Sequence, residues 1–431
     1  MSDKVPEGWG NYELQKLVQN YKGSIVDGPF GSNLKTSDYV SSGVPVLQGK
    51  NVTNDRFVWS DVRYITFEKA EELKRSSVRV GDILMVKIGS VGYSAIVEDL
   101  NGFDYAIIPA NLLKISLDEE KSLTQFVYQF LISPEGKRRI VDAASSTAQP
   151  ALSLGAMKKF KIPTPPLPEQ QKITSILTSV DEVIENTQQQ IDKLQDLKKA
   201  IMNELLTKGI GHTEFKDSEL GRIPKSWEVK KLKELTSGKF GIVDGPFGSN
   251  LKTEHYRKSG VPVIQSGFVT SGKFVAKNYV YVDRDKYLSE IRSAVSGGDI
   301  VMAKIGAQAG KCAIMPKTHP VGILSGNSLK ISANEEILDI NYLRNVFTHL
   351  YSIGEVQNLR TETAQPAITI AKLKNYKIKL PSVFEQKKIG KTINSIDAKI
   401  EIHFQKLSQT QSLKKSLMQA LLTGKVRVQV N

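Results

Sequence analysis

Cysteine is all but missing. Cys312 is the single one in 431 residues, so the chain can hold no internal disulfide, and a thiolate zinc site lacks its ligands. A reducing compartment fits. Long apolar runs are missing too: no stretch approaches 18 consecutive apolar residues, and the opening MSDKVPEGWG has no apolar core of the signal-peptide kind. The expectation is a cytoplasmic protein with no membrane partner. Histidine is scarce: residues 212, 255, 319, 349 and 403 are scattered, with no spacing that suits a metal or a catalytic pair. No G-x-S-x-G elbow, no G-x-G-x-x-G after a strand and no N/D-P-P-Y/F/W methylation loop occurs. GAQAGKC, residues 306–312, has one residue too few between its glycines for a phosphate-binding loop and ends in Cys where Ser or Thr should hold magnesium. Catalysis and metal binding by this chain are therefore disfavoured, and binding is favoured.

What is present is a repeat. IVDGPFGSNLKT runs from Ile25 to Thr36 and again, unchanged, from Ile242 to Thr253. VPEGW answers IPKSW, VPVLQ answers VPVIQ, GDILMVKIG (81–89) answers GDIVMAKIG (298–306), and TAQPA occurs at 147 and 363. The offset stays between 216 and 218, which marks a tandem duplication.

Each half reads as a globular part, a proline-bearing junction and a long helix. The globular parts mix short β-branched runs such as Ile83–Ile88 with helical stretches such as Ser122–Ile132, which predicts α+β domains with mixed sheets. In KIPTPPLPEQQKI four prolines lie between Pro163 and Pro168; they forbid helix before that point, and Pro168 suits a first helical turn. Apolar residues then recur at Ile173, Leu177, Val180, Ile184, Ile191, Leu194, Leu197, Ile201 and Leu205, with Thr187 as a polar layer. The spacing predicts an amphipathic helix of about 40 residues, roughly 60 Å long. At an offset of 216 the stripe returns as Ile389, Ile393, Ile396, Ile400, His403, Leu407, Thr410, Leu413, Leu417 and Leu421. Two long helices with matching seams are expected to pair antiparallel as a coiled coil, giving pseudo-twofold symmetry. The alternative is that each helix packs on its own domain.

Net charge is +14, and the two helices carry only +3 of it (13 Lys against 10 Asp and Glu), so the excess sits in the globular parts. Two basic modules held apart by a stiff spacer suit duplex DNA with two separated half-sites.

The order G-W, DGPFGSNLK, GDILMVKIG, P-T-P-P-L-x-E-Q-Q-K-I, a long helix ending LLTKG, then ELGRIPKSW and the whole series again, resembles the specificity subunit of type I restriction-modification systems over nearly the whole chain. E-Q-x-K-I stands at Glu169–Ile173 and Glu385–Ile389; the second junction departs in keeping a single proline, Pro381. The resemblance implies target recognition domains at residues 1–165 and 212–380 and spacer helices at 166–211 and 381–431. It implies double-stranded DNA with a bipartite target as ligand, and docking of two methylating subunits that use S-adenosylmethionine, none of it bound by this chain. Translocase-nuclease subunits would join the full complex. The alternatives from other classes are a tandem DNA-binding regulator that homodimerises through its helices, and an autonomous nuclease.

Half-sites that differ should be read by side chains that differ between the copies, while phosphate contacts and scaffold stay the same. The variable segments are Asn51–Val80 against Thr270–Ser296, and Tyr93–Tyr105 against Lys311–Val321. Arg56, Arg63, Arg79, Lys273, Lys277, Arg284 and Arg292 are candidate base or backbone contacts. Lys87 and Lys304, in an apolar repeated strand, either snorkel from a core edge or face the groove. In the repeated loop Phe30 is expected to anchor the turn. Ser32, Asn33 and Lys35, with Ser249, Asn250 and Lys252, are candidate phosphate contacts, against the plainer reading of a loop that only holds the fold.

Overall fold

The computed structural model describes residues 5–29, 33–145, 150–361 and 365–430. It divides into two compact units, one of residues 1–188 with 405–431 and one of residues 189–404. No helix among the described residues is long and apolar enough to cross a membrane.

In the first unit, a four-stranded antiparallel sheet runs in the order Ser94–Ile96, Ile83–Val86, Leu112–Ile115, Ile25–Asp27. A five-stranded sheet beside it is mixed, with Val46 and Ile107 paired in parallel between Val44–Val46 and Ala106–Ile107. The second unit repeats both: Ile242–Asp244, Ser328–Ile331, Ile300–Ala303 and Cys312–Ile314 form the antiparallel sheet, and Val261–Ile264 pairs in parallel with Gly322–Leu324 in the mixed one. The repeated strands Ile83–Val86 and Ile300–Ala303 are buried at every position. That explains their continuous run of β-branched and apolar residues.

The prolines act as the sequence predicts. Lys161–Thr164 pairs with Gly10–Glu13, and helix begins at Leu167 and continues to Lys208; its counterpart spans Val383–Leu421. The E-Q pair that opens each helix is a buried lock. Gln170, fully buried, accepts from the Leu123 N–H and donates to the Pro165 carbonyl. Gln386 does the same with the Asp339 N–H and Pro381 carbonyl, so a single proline is enough to set the second entry. Glu169 accepts from the Trp9 indole at 3.1 Å, and Glu385 from the Trp227 indole at 3.0 Å. Each glutamine and glutamate meets backbone or indole groups that would otherwise be buried without partners.

Each unit takes one half of each long helix. In the first, Ile173 and Leu177 share a core with Met418, Leu421 and Leu422, and Asp181 pairs with Lys414 at 2.6 Å. In the second, Met202 and Leu206 share a core with Ile389 and Ile393, and Lys198 pairs with Asp397 at 2.5 Å. Within each unit the numbers rise along one helix and fall along the other, so the packing is antiparallel, and the two ion pairs are repeat equivalents.

Of the seam residues, Ile173, Leu177, Ile191, Ile389, Ile393, Ile396, Ile400 and Leu407 are buried, while Val180 and Ile184 are half-buried. Leu197 and Leu413 are about half exposed, which departs from the predicted stripe. The reason is that the stripe is no pure helix–helix seam: a good part of it is domain core. In the second unit Met202 and Leu206, which the predicted stripe omitted, are buried in that core, with Leu205 partly buried against it.

Candidate nucleic-acid interface

The repeated loop leaves strand Ile25–Asp27 at the same end of the sheet where strand Ile83–Val86 stops. Asp27 lies across from Leu113, and Leu113 across from Met85. This register brings Lys87, two residues on, to Asp27, with Nζ 2.6 Å from Oδ2; Lys304 reaches Asp244 at the same distance. The lysines are 5% and 8% exposed, so both ammonium groups are held inside their units. A charge this far from water persists only when paired and hydrogen-bonded. Gly28 is fixed by sterics: a Cβ there would lie 2.2 Å from the Ile108 carbonyl oxygen, and one on Gly245 would lie 2.0 Å from that of Ser325. DG in one motif and K in the other are therefore one structural element, repeated because the frame is repeated.

Phe30 and Ser32 lie outside the described residues. The counterpart of Phe30, Phe247, is 47% exposed and carries the Lys304 ammonium 3.7 Å from its ring centroid, a cation–π contact where a core anchor was expected. Arg292 comes to the same place, 3.4 Å from Asp244. Asn33, Lys35, Asn250 and Lys252 are exposed; the Lys35 N–H donates to Asp38 and the Lys252 N–H to His255, which fixes each turn with the lysine side chain outward.

The remaining candidates do not form one cluster. Arg56, Arg79, Lys277 and Arg284 are exposed on separate segments. Arg63 stacks over Tyr39 at 5.0 Å, and Lys273 is ion-paired with Glu401 on the second long helix.

A cleft that the sequence did not mark lies in the first unit, with Val86 and Ile88, the chain neighbours of Lys87, in its wall. It has a volume of about 580 Å3, and its lining includes Tyr39, Gln48, Lys50, Ser90, Tyr93 and Asn111. The Lys87 N–H donates to the Asn111 carbonyl at 3.0 Å, and the Lys304 N–H to that of Asn327 at 2.8 Å, so the buried lysine places an asparagine identically in each unit. Gln48 lies two residues past strand Val44–Val46 and Gln265 directly past Val261–Ile264, each at the start of a short 3-10 turn. The signal was available: Gln48 and Gln265 close VPVLQ and VPVIQ, and Asn111 and Asn327 open NLLKI and NSLKI.

The units differ in the network around a buried aspartate, Asp82 or Asp299. In the first, Lys114 donates to the Tyr21 hydroxyl, which donates to Ser116, which donates to Asp82 at 2.5 Å. Burial pushes the Asp82 carboxyl above its ordinary range, against the pull of that hydrogen bond. In the second, Lys330 faces Asp299 directly at 3.5 Å. Cys312 is buried, its thiol pushed up to about 12 by desolvation, and behaves as a small core hydrophobe.

Against known proteins, the family model for the type I restriction modification DNA specificity domain matches twice, over residues 6–196 and 224–411. A relative from Methanocaldococcus jannaschii, the type I restriction enzyme MjaVIII specificity subunit, is 32% identical over 320 residues, 73% of each chain. Among solved structures, the S subunit of a type I restriction-modification system from M. genitalium aligns over 98% of this chain and 97% of its own, with a TM-score of 0.55 at 16% identity. A chain from a study of complex assembly in the type I R-M system aligns over 99% and 100%, with a TM-score of 0.61 at 15% identity. At those identities the solved structures speak for the fold alone.

Proposed function

Because the chain belongs to the type I restriction-modification DNA specificity family, we propose that its two globular parts, residues 1–165 and 212–380, each read one half of a bipartite duplex target. As a specificity subunit the chain recognises DNA and is the non-catalytic component of its enzyme. The long helices hold the two readers at a set spacing and present equivalent surfaces to two methylating subunits, because two copies of one partner need two equivalent docking sites. Those subunits bind S-adenosylmethionine and methylate; translocase-nuclease subunits join for restriction, in the cytoplasm.

The observation that carries this reading is one frame built twice with different outer segments. The Asp–Lys pair, the close glycine and the E-Q lock recur atom for atom in role. The segments Asn51–Val80 and Thr270–Ser296 do not. A shared frame suits phosphate contacts, for which the exposed Asn33, Lys35, Asn250 and Lys252 are candidates, with Ser32 and Ser249 proposed from the repeat alone; the variable segments suit base reading.

The test is to exchange residues 1–165 for the equivalent segment of a relative and map modified bases in the DNA of cells carrying the system. One half of the motif should change, with the other half kept. Alteration of both halves would sink the modular reading.

A further inference from the structure

Identical side chains in two domains that read different half-sites cannot tell those half-sites apart, but they are suited to reading what the half-sites have in common. Gln48 and Gln265 meet that description. Each follows, within two residues, the strand paired in parallel in its mixed sheet, and each unit holds an asparagine, Asn111 or Asn327, whose carbonyl accepts from the buried lysine's N–H. Each is half-buried; the Gln48 N–H donates to the Asn51 carboxamide, and the Gln265 side chain makes no capping bond to the turn after it. In the first unit the glutamine lines an open cleft of a size to admit an edge of a base pair. The residues that follow diverge at once, Gly49-Lys50 against Ser266-Gly267. A shared reader thus stands next to private ones. In the first unit a Cβ on Gly49 would lie 2.9 Å from the Asn111 side-chain nitrogen, so the Asn111 carboxamide lies against the residue after Gln48.

A carboxamide presents one donor and one acceptor side by side, which matches the N6–H and N7 of adenine in the major groove and no other base in the same bidentate way. We propose that Gln48 and Gln265 read an adenine in their respective half-sites, with Asn111 and Asn327 supporting the same contact. The proposal rests on the reading that each globular part binds one half-site.

The experiment is selection of bound fragments from a randomised duplex pool by the full chain, followed by sequencing. Gln48→Ala should relax one adenine position in one half-site to near-even base use, and Gln265→Ala one adenine position in the other. Each should weaken binding to the parent target by about 5- to 150-fold, the range of one bidentate base contact. Gln48→Glu and Gln265→Glu keep the shape but only accept, so each should move its position from adenine towards cytosine. Equal weakening on every sequence would make these residues phosphate contacts and overturn the proposal, as would an unchanged motif. If the parent chain itself enriches no two-part motif, the half-site reading fails and this inference fails with it; a two-part motif that survives all four substitutions defeats the inference alone.

Discussion

Glu169 and Glu385 occupy the same place in the two copies, yet different parts of the chain close over them. In the first unit Arg427, from the segment after the second long helix, grips both Glu169 oxygens at 2.7 and 2.8 Å and donates to the Glu7 carbonyl. In the second, the link that follows the first long helix does the work: the Ile210 N–H and His212 reach Glu385 at 2.9 and 2.8 Å. The same carboxylate is satisfied once by a guanidinium fork and once by a backbone amide and an imidazole. The duplication therefore preserved a requirement, a partner for a buried glutamate beside a tryptophan, and left the supplier free. It also means that the first unit is completed by the last residues of the chain, while the second is complete within residues 189–404.

Removing residues 405–431 should break that comparison most severely. The first unit would lose Met418, Leu421 and Leu422 from its core together with Arg427. Each large buried side chain is worth about 2–5 kcal/mol on truncation, so the sum exceeds what a domain can spare. Hydrogen exchange followed by mass spectrometry should show residues 5–188 unprotected and most of 189–404 still protected. Equal loss in both would mean that the units do not fold separately.

The buried ion pairs give the next effect. Lys87→Ala leaves Asp27 without its cation and should destabilise the first unit by about 3–5 kcal/mol, in the range for a broken buried pair. Lys304→Ala should have a smaller effect on the second, because Arg292 remains 3.4 Å from Asp244. Lys87→Met combined with Asp27→Leu should recover most of the loss, since an apolar pair carries no desolvation penalty. Unit-resolved unfolding checks the order; a larger loss from Lys304→Ala would show that Arg292 gives Asp244 no support.

These two comparisons also show what was legible in the sequence. The repeat, the proline junctions, both long helices and their antiparallel pairing were readable, because they rest on local periodicity and on identity between halves. That Leu197 faces outward while Met202 and Leu206 go inward was not: spacing fixes a stripe, but which residues of it meet the domain depends on tertiary packing. Lys87 stood out, but its partner lies 60 residues earlier in a motif that looked like a phosphate loop. Only the sheet register, two strands across, joins them. Gln48 and Asn111 were passed over because they carry no charge, although they are as faithfully repeated as the lysines.

The smallest effect concerns Asp82, the carboxyl that the first unit relays through Ser116 and Tyr21 while the second sets Lys330 against Asp299 directly. Burial raises the folded-state value of Asp82 above its unfolded one, so its neutral form is the one the fold prefers. The stability this contributes is full below the unfolded carboxylate value of about 3.9 and is lost as pH rises through the raised folded value. At neutral pH the ionised Asp82 is then a burden on the first unit. Asp82→Asn keeps an oxygen to accept from Ser116 and has no proton to lose, but sets an amide NH2 against the Arg79 N–H that the other carboxylate oxygen accepts from at 2.8 Å. That loss does not vary with pH, so the variant-minus-parent stability should be greatest at pH 7 and should fall as the pH drops through the raised carboxylate range. Other carboxylates of the first unit also shift, Glu135 below its ordinary range chiefly through its hydrogen bond with Arg138; the readout is therefore the variant-minus-parent difference for the first unit. A difference that stays constant from pH 7 to 4 would mean that the Lys114–Tyr21–Ser116 relay offsets the burial of the Asp82 carboxylate in full, so that its value is not raised.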